Sequence, residues 1–196
     1  MNASRNRPWT RTLAAVLLSA STAVFAIQPN QALAEEGKAN PNRPQTELAQ
    51  SARSAILMDA DSGTVIYEKN SQEPLPPASI TKIMTMLLVM EAIDEGRLKL
   101  TDPVQTSEYA ASMGGSQIFL EPGEQMTVED MLKGVALASG NDASVALAEK
   151  LAGSEEEFVK LMNEKAKELG MTNTKFVNCN GLPAQGHVSS ARDIAL

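Results

Sequence analysis

PPASITKIMT, residues 76–85, sets a serine and a lysine three positions apart at the head of a long apolar run. Ile80, Ile83, Met84, Met86, Leu87, Leu88, Val89, Met90 and Ile93 follow, an apolar surface too wide for a helix covered on one side only. The stretch predicts a buried helix from Ser79 to about Ile93, ending at Glu95-Gly96. Pro76 and Pro77 stop any earlier helix, and Ser79 fits the N-cap, where a side-chain oxygen accepts from a free first-turn N–H. A capping box would put Glu or Gln three residues on, and the helix dipole would also favour an acid there. The residue is Lys82, a poor choice for stability alone.

Reactivity gives a better account of it. Residues three apart share a helix face, so the Lys82 amine can reach the Ser79 hydroxyl. A serine is a weak nucleophile until a neighbour takes its proton, and a lysine can do so only when its pKa falls toward neutrality. Burial and a helix N-terminus both disfavour the ammonium. The same helix start aims backbone N–H groups at an oxyanion formed on Ser79. The bland alternative is a serine that only caps and a lysine that snorkels its charge to water.

Outward from this helix, Ala55–Asp59 and Thr64–Glu68 are strand-like runs around Ala60-Asp61-Ser62-Gly63, the loop chemistry of a β-hairpin. Thr101 to Gln125 is irregular, with turns at Gly114-Gly115 and Pro122-Gly123. Thr127-Val-Glu-Asp130 opens a helix that Met131, Leu132, Val135 and Leu137 carry to about Ala138, and another begins just past Asn141. Ser139-Gly140-Asn141 lies between them; these residue types also suit a plain helix-to-helix turn. Glu155 to Leu169 is an amphipathic helix with Phe158, Leu161, Met162 and Leu169 on one side. Beyond Gly170 the chain is turn-rich, and Ser189 or Ser190 is placed to cap one more helix.

Residues 1–34 read as a secretory signal peptide: Arg5, Arg7 and Arg11 precede the apolar stretch Leu13–Ile27, and Ala32-Leu33-Ala34 supplies the cleavage pattern. The product is expected to be exported. Residues 35–51 are polar and proline-containing, a flexible lead-in to one domain over 52–196. The whole chain carries a net charge of −7, and losing three arginines with the signal leaves 24 acids against 14 bases. Nucleic acid is not expected as a partner, because phosphate binding needs a basic patch. The single Cys179 cannot form an intramolecular disulfide, and FVNCNGLP offers no setting for a reactive thiol. His187, alone in a Gly-containing loop, is expected to face solvent. With no second histidine, neither a metal site nor another cofactor is expected.

PASITKIMT, GGSQIFLEPGE, LASGNDASVALAE and NGLPAQGHVSSARDIAL closely resemble the bacterial D-alanyl-D-alanine carboxypeptidases, the low-molecular-weight penicillin-binding proteins, over roughly Ala52 to Leu196. The resemblance implies an α+β fold of the β-lactamase/transpeptidase type. It also implies that Ser79 attacks the carbonyl of a terminal D-Ala-D-Ala, that Lys82 takes its proton and that Ser139 passes a proton to the departing D-alanine. Asn141 would contact substrate. Peptidoglycan stem peptides would be the substrate, and β-lactams would acylate the same serine. In relatives a Lys-Thr-Gly or Lys-Ser-Gly triplet lies on a strand well beyond Ser-x-Asn, and no lysine here begins one. The expectation is a helical subdomain with part of an antiparallel sheet, the C-terminal strands and any C-terminal membrane anchor absent, and low activity for this chain.

Three other readings compete with this one. A D,D-endopeptidase would use the same residues. A serine β-lactamase of the commonest class uses Ser-Asp-Asn and a glutamate to activate water; here the triplet is Ser-Gly-Asn and Thr172–Lys175 holds no acid. A non-catalytic penicillin- or wall-binding protein would still be acylated at Ser79.

Overall fold

The computed structural model describes residues 48–196. The expected signal peptide (1–34) and residues 35–47 of the expected lead-in lie outside the described residues. Residues 48–51 are not a loose lead-in: they form a turn tied to the first hairpin, with Tyr67 Oη donating to the Leu48 carbonyl at 2.6 Å and Lys69 Nζ to that of Gln50 at 2.9 Å.

β1 (Ala55–Met58) and β2 (Val65–Lys69) pair antiparallel, Ile56 opposite Glu68 and Leu57 opposite Tyr67, with a bulge at Leu57/Met58. The turn is the one that the Asp-Ser-Gly chemistry predicts. Asp59 Oδ1 accepts from the Ser62 N–H at 2.9 Å, and Gly63 takes φ +67, a conformation that a side chain would strain. A 3-10 turn (Ala78–Ile80) then leads into α1 (Thr81–Asp94).

The segment expected to be irregular holds a second hairpin, β3 (Pro103–Gln105) with β4 (Gln125–Thr127), and between its strands the short α2 (Glu108–Ala111). Three-residue strands paired across a long excursion carry no local period for sequence to show. α3 (Val128–Ala138) starts as predicted, Thr127 Oγ1 accepting from the Asp130 N–H at 3.1 Å. α4 (Asn141–Ala152) and α5 (Glu155–Glu168) follow, and α6 (Ala191–Ile194) is capped by Ser190.

α4 is the centre. Its residues Asn141 to Ala148 are all buried, and its alanines let α1, α2, α3, α5 and β3 approach it from different sides. Val89, Val104, Val128, Met131, Leu147, Phe158, Met162 and Phe176 complete a core with almost no exposure. α1 is only partly the buried helix predicted: Met84, Leu88 and Val89 face this core, while Ile80, Ile83 and Met90 are 47%, 56% and 44% exposed. Leu137 and Leu169 also differ, standing exposed at the ends of their helices, with Ala166 taking the inner position on α5. The class is the mixed helix and antiparallel-sheet type expected, with the hairpins beside the helical body.

Candidate active site

Ser79 does not cap the helix. It sits in the middle of the 3-10 turn, whose N-cap is Pro77, and its side chain makes no capping bond. One residue earlier, Ala78 takes φ +48, a left-handed conformation that costs an L-residue roughly 1–2 kcal/mol, and Ser79 lies inside the turn instead of ahead of it. Ser79 Oγ instead accepts from Lys82, whose Nζ lies 3.3 Å away on the first turn of α1.

Lys82 is 3% exposed. Burial holds its ammonium below the usual lysine range. The Cys179 thiol nearby would oppose this only as a thiolate, and burial pushes that thiol well above its own ordinary value. It is neutral at physiological pH, so desolvation governs the lysine. The amine's firm partner is the Asn180 carbonyl, 2.6 Å from Nζ.

That carbonyl is held by a segment lying against the start of α1. Thr85 Oγ1 donates to the Cys179 carbonyl at 2.6 Å, and the Asn178 side chain brackets the turn, accepting from the Gly181 N–H at 2.8 Å and donating to the Leu182 carbonyl at 2.8 Å. Gly181 has φ +88, and a Cβ there would overlap the Ala78 carbonyl. Backbone thus meets backbone beside Ser79. The Asn-Gly pair at 180–181 was the sequence signal for such a turn, although its partner could not be read from it.

Ser139 closes α3 in the left-handed region, φ +55 and ψ 35, so the serine and not Gly140 takes the conformation that glycine favours. Its Oγ is buried and has no hydrogen-bond partner among the described residues. The structure therefore joins Ser79 to Lys82 by a polar contact but does not join Ser139 to either. Asn141, the first residue of α4, is buried, its Nδ2 donating to the Gly114 carbonyl at 2.7 Å and its backbone N–H to the Ser116 carbonyl at 2.8 Å. The neighbouring Asp142 accepts from the N–H groups of Ile118, Leu120 and Ala143. Residues 114–120 are thus fastened onto the Ser139-Gly140-Asn141 corner, a role that sequence reading did not give them. His187 corrects another expectation: it is 4% exposed, hydrogen-bonded to Thr81 and Val177.

The sequence matches the family of D-alanyl-D-alanine carboxypeptidases over residues 39–196. It is 59% identical over 186 residues to D-alanyl-D-alanine carboxypeptidase DacF of Bacillus subtilis, which covers 95% of this chain and 46% of that one. Among solved structures, the D-alanyl-D-alanine carboxypeptidase DacD of Francisella tularensis is similar with a TM-score of 0.72 and 40% identity, over 73% of this chain and 35% of that one. Penicillin binding protein 5 of Haemophilus influenzae gives 0.71 and 38%, over 73% and 42%. The chain belongs to the D-alanyl-D-alanine carboxypeptidase family. It spans less than half the length of the Bacillus subtilis relative.

Proposed function

We propose that the chain carries the nucleophile and base of a serine-type D-Ala-D-Ala carboxypeptidase, which trims the terminal D-alanine from peptidoglycan stem peptides outside the cytoplasm. One observation carries the reading: an exposed serine hydroxyl 3.3 Å from the amine of a buried lysine whose ammonium is disfavoured. In this mechanism neutral Lys82 takes the Ser79 proton as Oγ bonds to the carbonyl carbon of the penultimate D-alanine. The tetrahedral intermediate collapses by breaking the C–N bond. Ser139, whose buried hydroxyl has no protein partner among the described residues, relays the proton to the departing nitrogen. Asn141, its Nδ2 held by Gly114, presents Oδ1 to the substrate amide. Water then cleaves the ester, releasing the shortened peptide and restoring Ser79. A β-lactam enters the same route, but its leaving nitrogen stays tethered to the acyl group and the adduct persists.

Labelling with fluorescent penicillin tests this. The parent should be labelled covalently, and Ser79→Ala and Lys82→Ala should each lose the label. Because the neutral amine is the base, the rate should rise with pH through a lysine pKa lying below 10.5. Undiminished label on Ser79→Ala would sink the proposal.

A further inference from the structure

We propose that His187 is a positioning residue for this reaction: a neutral imidazole that clamps the 177–181 segment to the first turn of α1, keeping the Asn180 carbonyl against the Lys82 amine. The inference rests on the reading of Ser79 and Lys82 given above.

The tautomer follows from the bonds. Nδ1 lies 3.0 Å from the Val177 backbone nitrogen, which can only donate, so Nδ1 carries the lone pair. A neutral ring then has its proton on Nε2 and donates it to Thr81 Oγ1 at 2.8 Å. Thr81 is fully buried between Ser79 and Lys82. Phe176 closes over the ring edge-on, with centroids 5.9 Å apart. His187 therefore fixes the near end of the segment. Thr85 holds its middle at Cys179, and the Gly181 contact with Ala78 ends it. Lys82 receives its firm hydrogen-bond acceptor from inside that span.

A second proton on the ring would undo the clamp. Nδ1–H would face the Val177 N–H, donor against donor, and a cation would sit where both ring bonds run to uncharged groups. The titratable groups on the surrounding elements give it no counter-charge: Lys82 is on α1, and Lys175 and the neutral Cys179 thiol are on its own segment. Glu155 of α5 and Asp193 of α6 reach this stretch at the backbone of Cys179 and of Asn173, not at the ring. Burial accordingly keeps the ring below the ordinary histidine range. The clamp holds at neutral pH and fails only in acid, below the ordinary histidine range.

The chain has one histidine, so the ring can be observed without ambiguity by nitrogen-15 NMR of the full chain. The expected spectrum at neutral pH shows a proton on Nε2 and none on Nδ1; a proton on Nδ1 overturns the proposal. Penicillin labelling across pH supplies the second readout. The parent's rate should fall in acid more steeply than one ionisation allows, because Lys82 and His187 both charge. His187→Asn, which restores an acceptor near the Nδ1 position but does not titrate, should slow labelling at neutral pH and show a one-proton acid limb. His187→Phe, which keeps neither ring hydrogen bond, should label at least about tenfold more slowly at neutral pH, the factor expected for losing even one such bond. Equal acid limbs in parent and His187→Asn overturn the inference while leaving Ser79 as nucleophile. Label surviving in Ser79→Ala overturns the underlying reading instead.

Discussion

Gly181 separates two demands that are usually mixed. Its φ of +88 asks for glycine on conformational grounds, and its contact with the Ala78 carbonyl asks for it again on steric grounds. Gly186, a few residues on, has φ +79 and nothing within 4 Å of the place a Cβ would take. Gly186→Ala should therefore lose only the left-handed penalty, roughly 1–2 kcal/mol. Gly181→Ala adds an overlap of roughly 1–3 kcal/mol that neither backbone can relieve without moving the turn that carries Ser79. Denaturant melts give the first comparison and penicillin labelling the second: Gly186→Ala should keep its label and Gly181→Ala should lose most of it. Equal stability losses in the two variants would show that the close approach beside Ser79 is not real.

At the scale of elements, the site depends on side chains that tie short pieces together. Glu155, in the first turn of α5, accepts from Tyr109 of α2 at 2.6 Å and from the Cys179 N–H at 3.0 Å, so one carboxylate links two helices to the segment behind Lys82. Hydrogen bonding to that carboxylate, aided by burial, pushes the Tyr109 phenol up from 10.0 to about 12. The fold favours the neutral phenol. Its share of stability is complete below pH 10 and vanishes as pH rises through 12. Ultraviolet titration of the folded protein should show a tyrosine ionising near 12 that disappears in Tyr109→Phe. A titration unchanged by the substitution would refute the bond. The same scale shows what sequence could carry. The caps at Thr127 and Ser190 and the first hairpin were legible because each is decided within a few residues. So was the Ser79–Lys82 pair, since helical spacing alone brings the two together. The Ser79 cap misled, because nothing local announces the left-handed Ala78. β3, β4 and the burial of His187 were hidden for a common reason: each depends on a partner far along the chain, 106 residues away for His187 and Thr81.

Across the whole described unit, stability should be uneven. The buried apolar cluster begins at Met84 and takes nothing from β1 or β2, whose Leu57 and Ile66 are 47% and 49% exposed. What holds that hairpin is largely polar: Ser54 Oγ and Asn70 Nδ2 bonded across its base, the Arg53–Glu73 ion pair, and the Arg192 N–H on the Ser71 carbonyl. Exposed pairs of this kind contribute little, and a lone two-stranded hairpin is marginal in water. α4, buried over its first eight residues and packed by four helices, is the opposite case. Hydrogen exchange should order them accordingly, with β1 and β2 amides opening locally and exchanging first while α4 amides exchange only on global unfolding. Raising the ionic strength should loosen the hairpin further by screening the Arg53–Glu73 pair, with no matching change in α4. Equal protection in hairpin and α4 would mean that the two unfold as one cooperative unit, and that the Ser79 turn between them shares the stability of the core. Uneven protection would place Ser79, which follows the hairpin and precedes the buried part of α1, at the border between the mobile and rigid parts of the molecule.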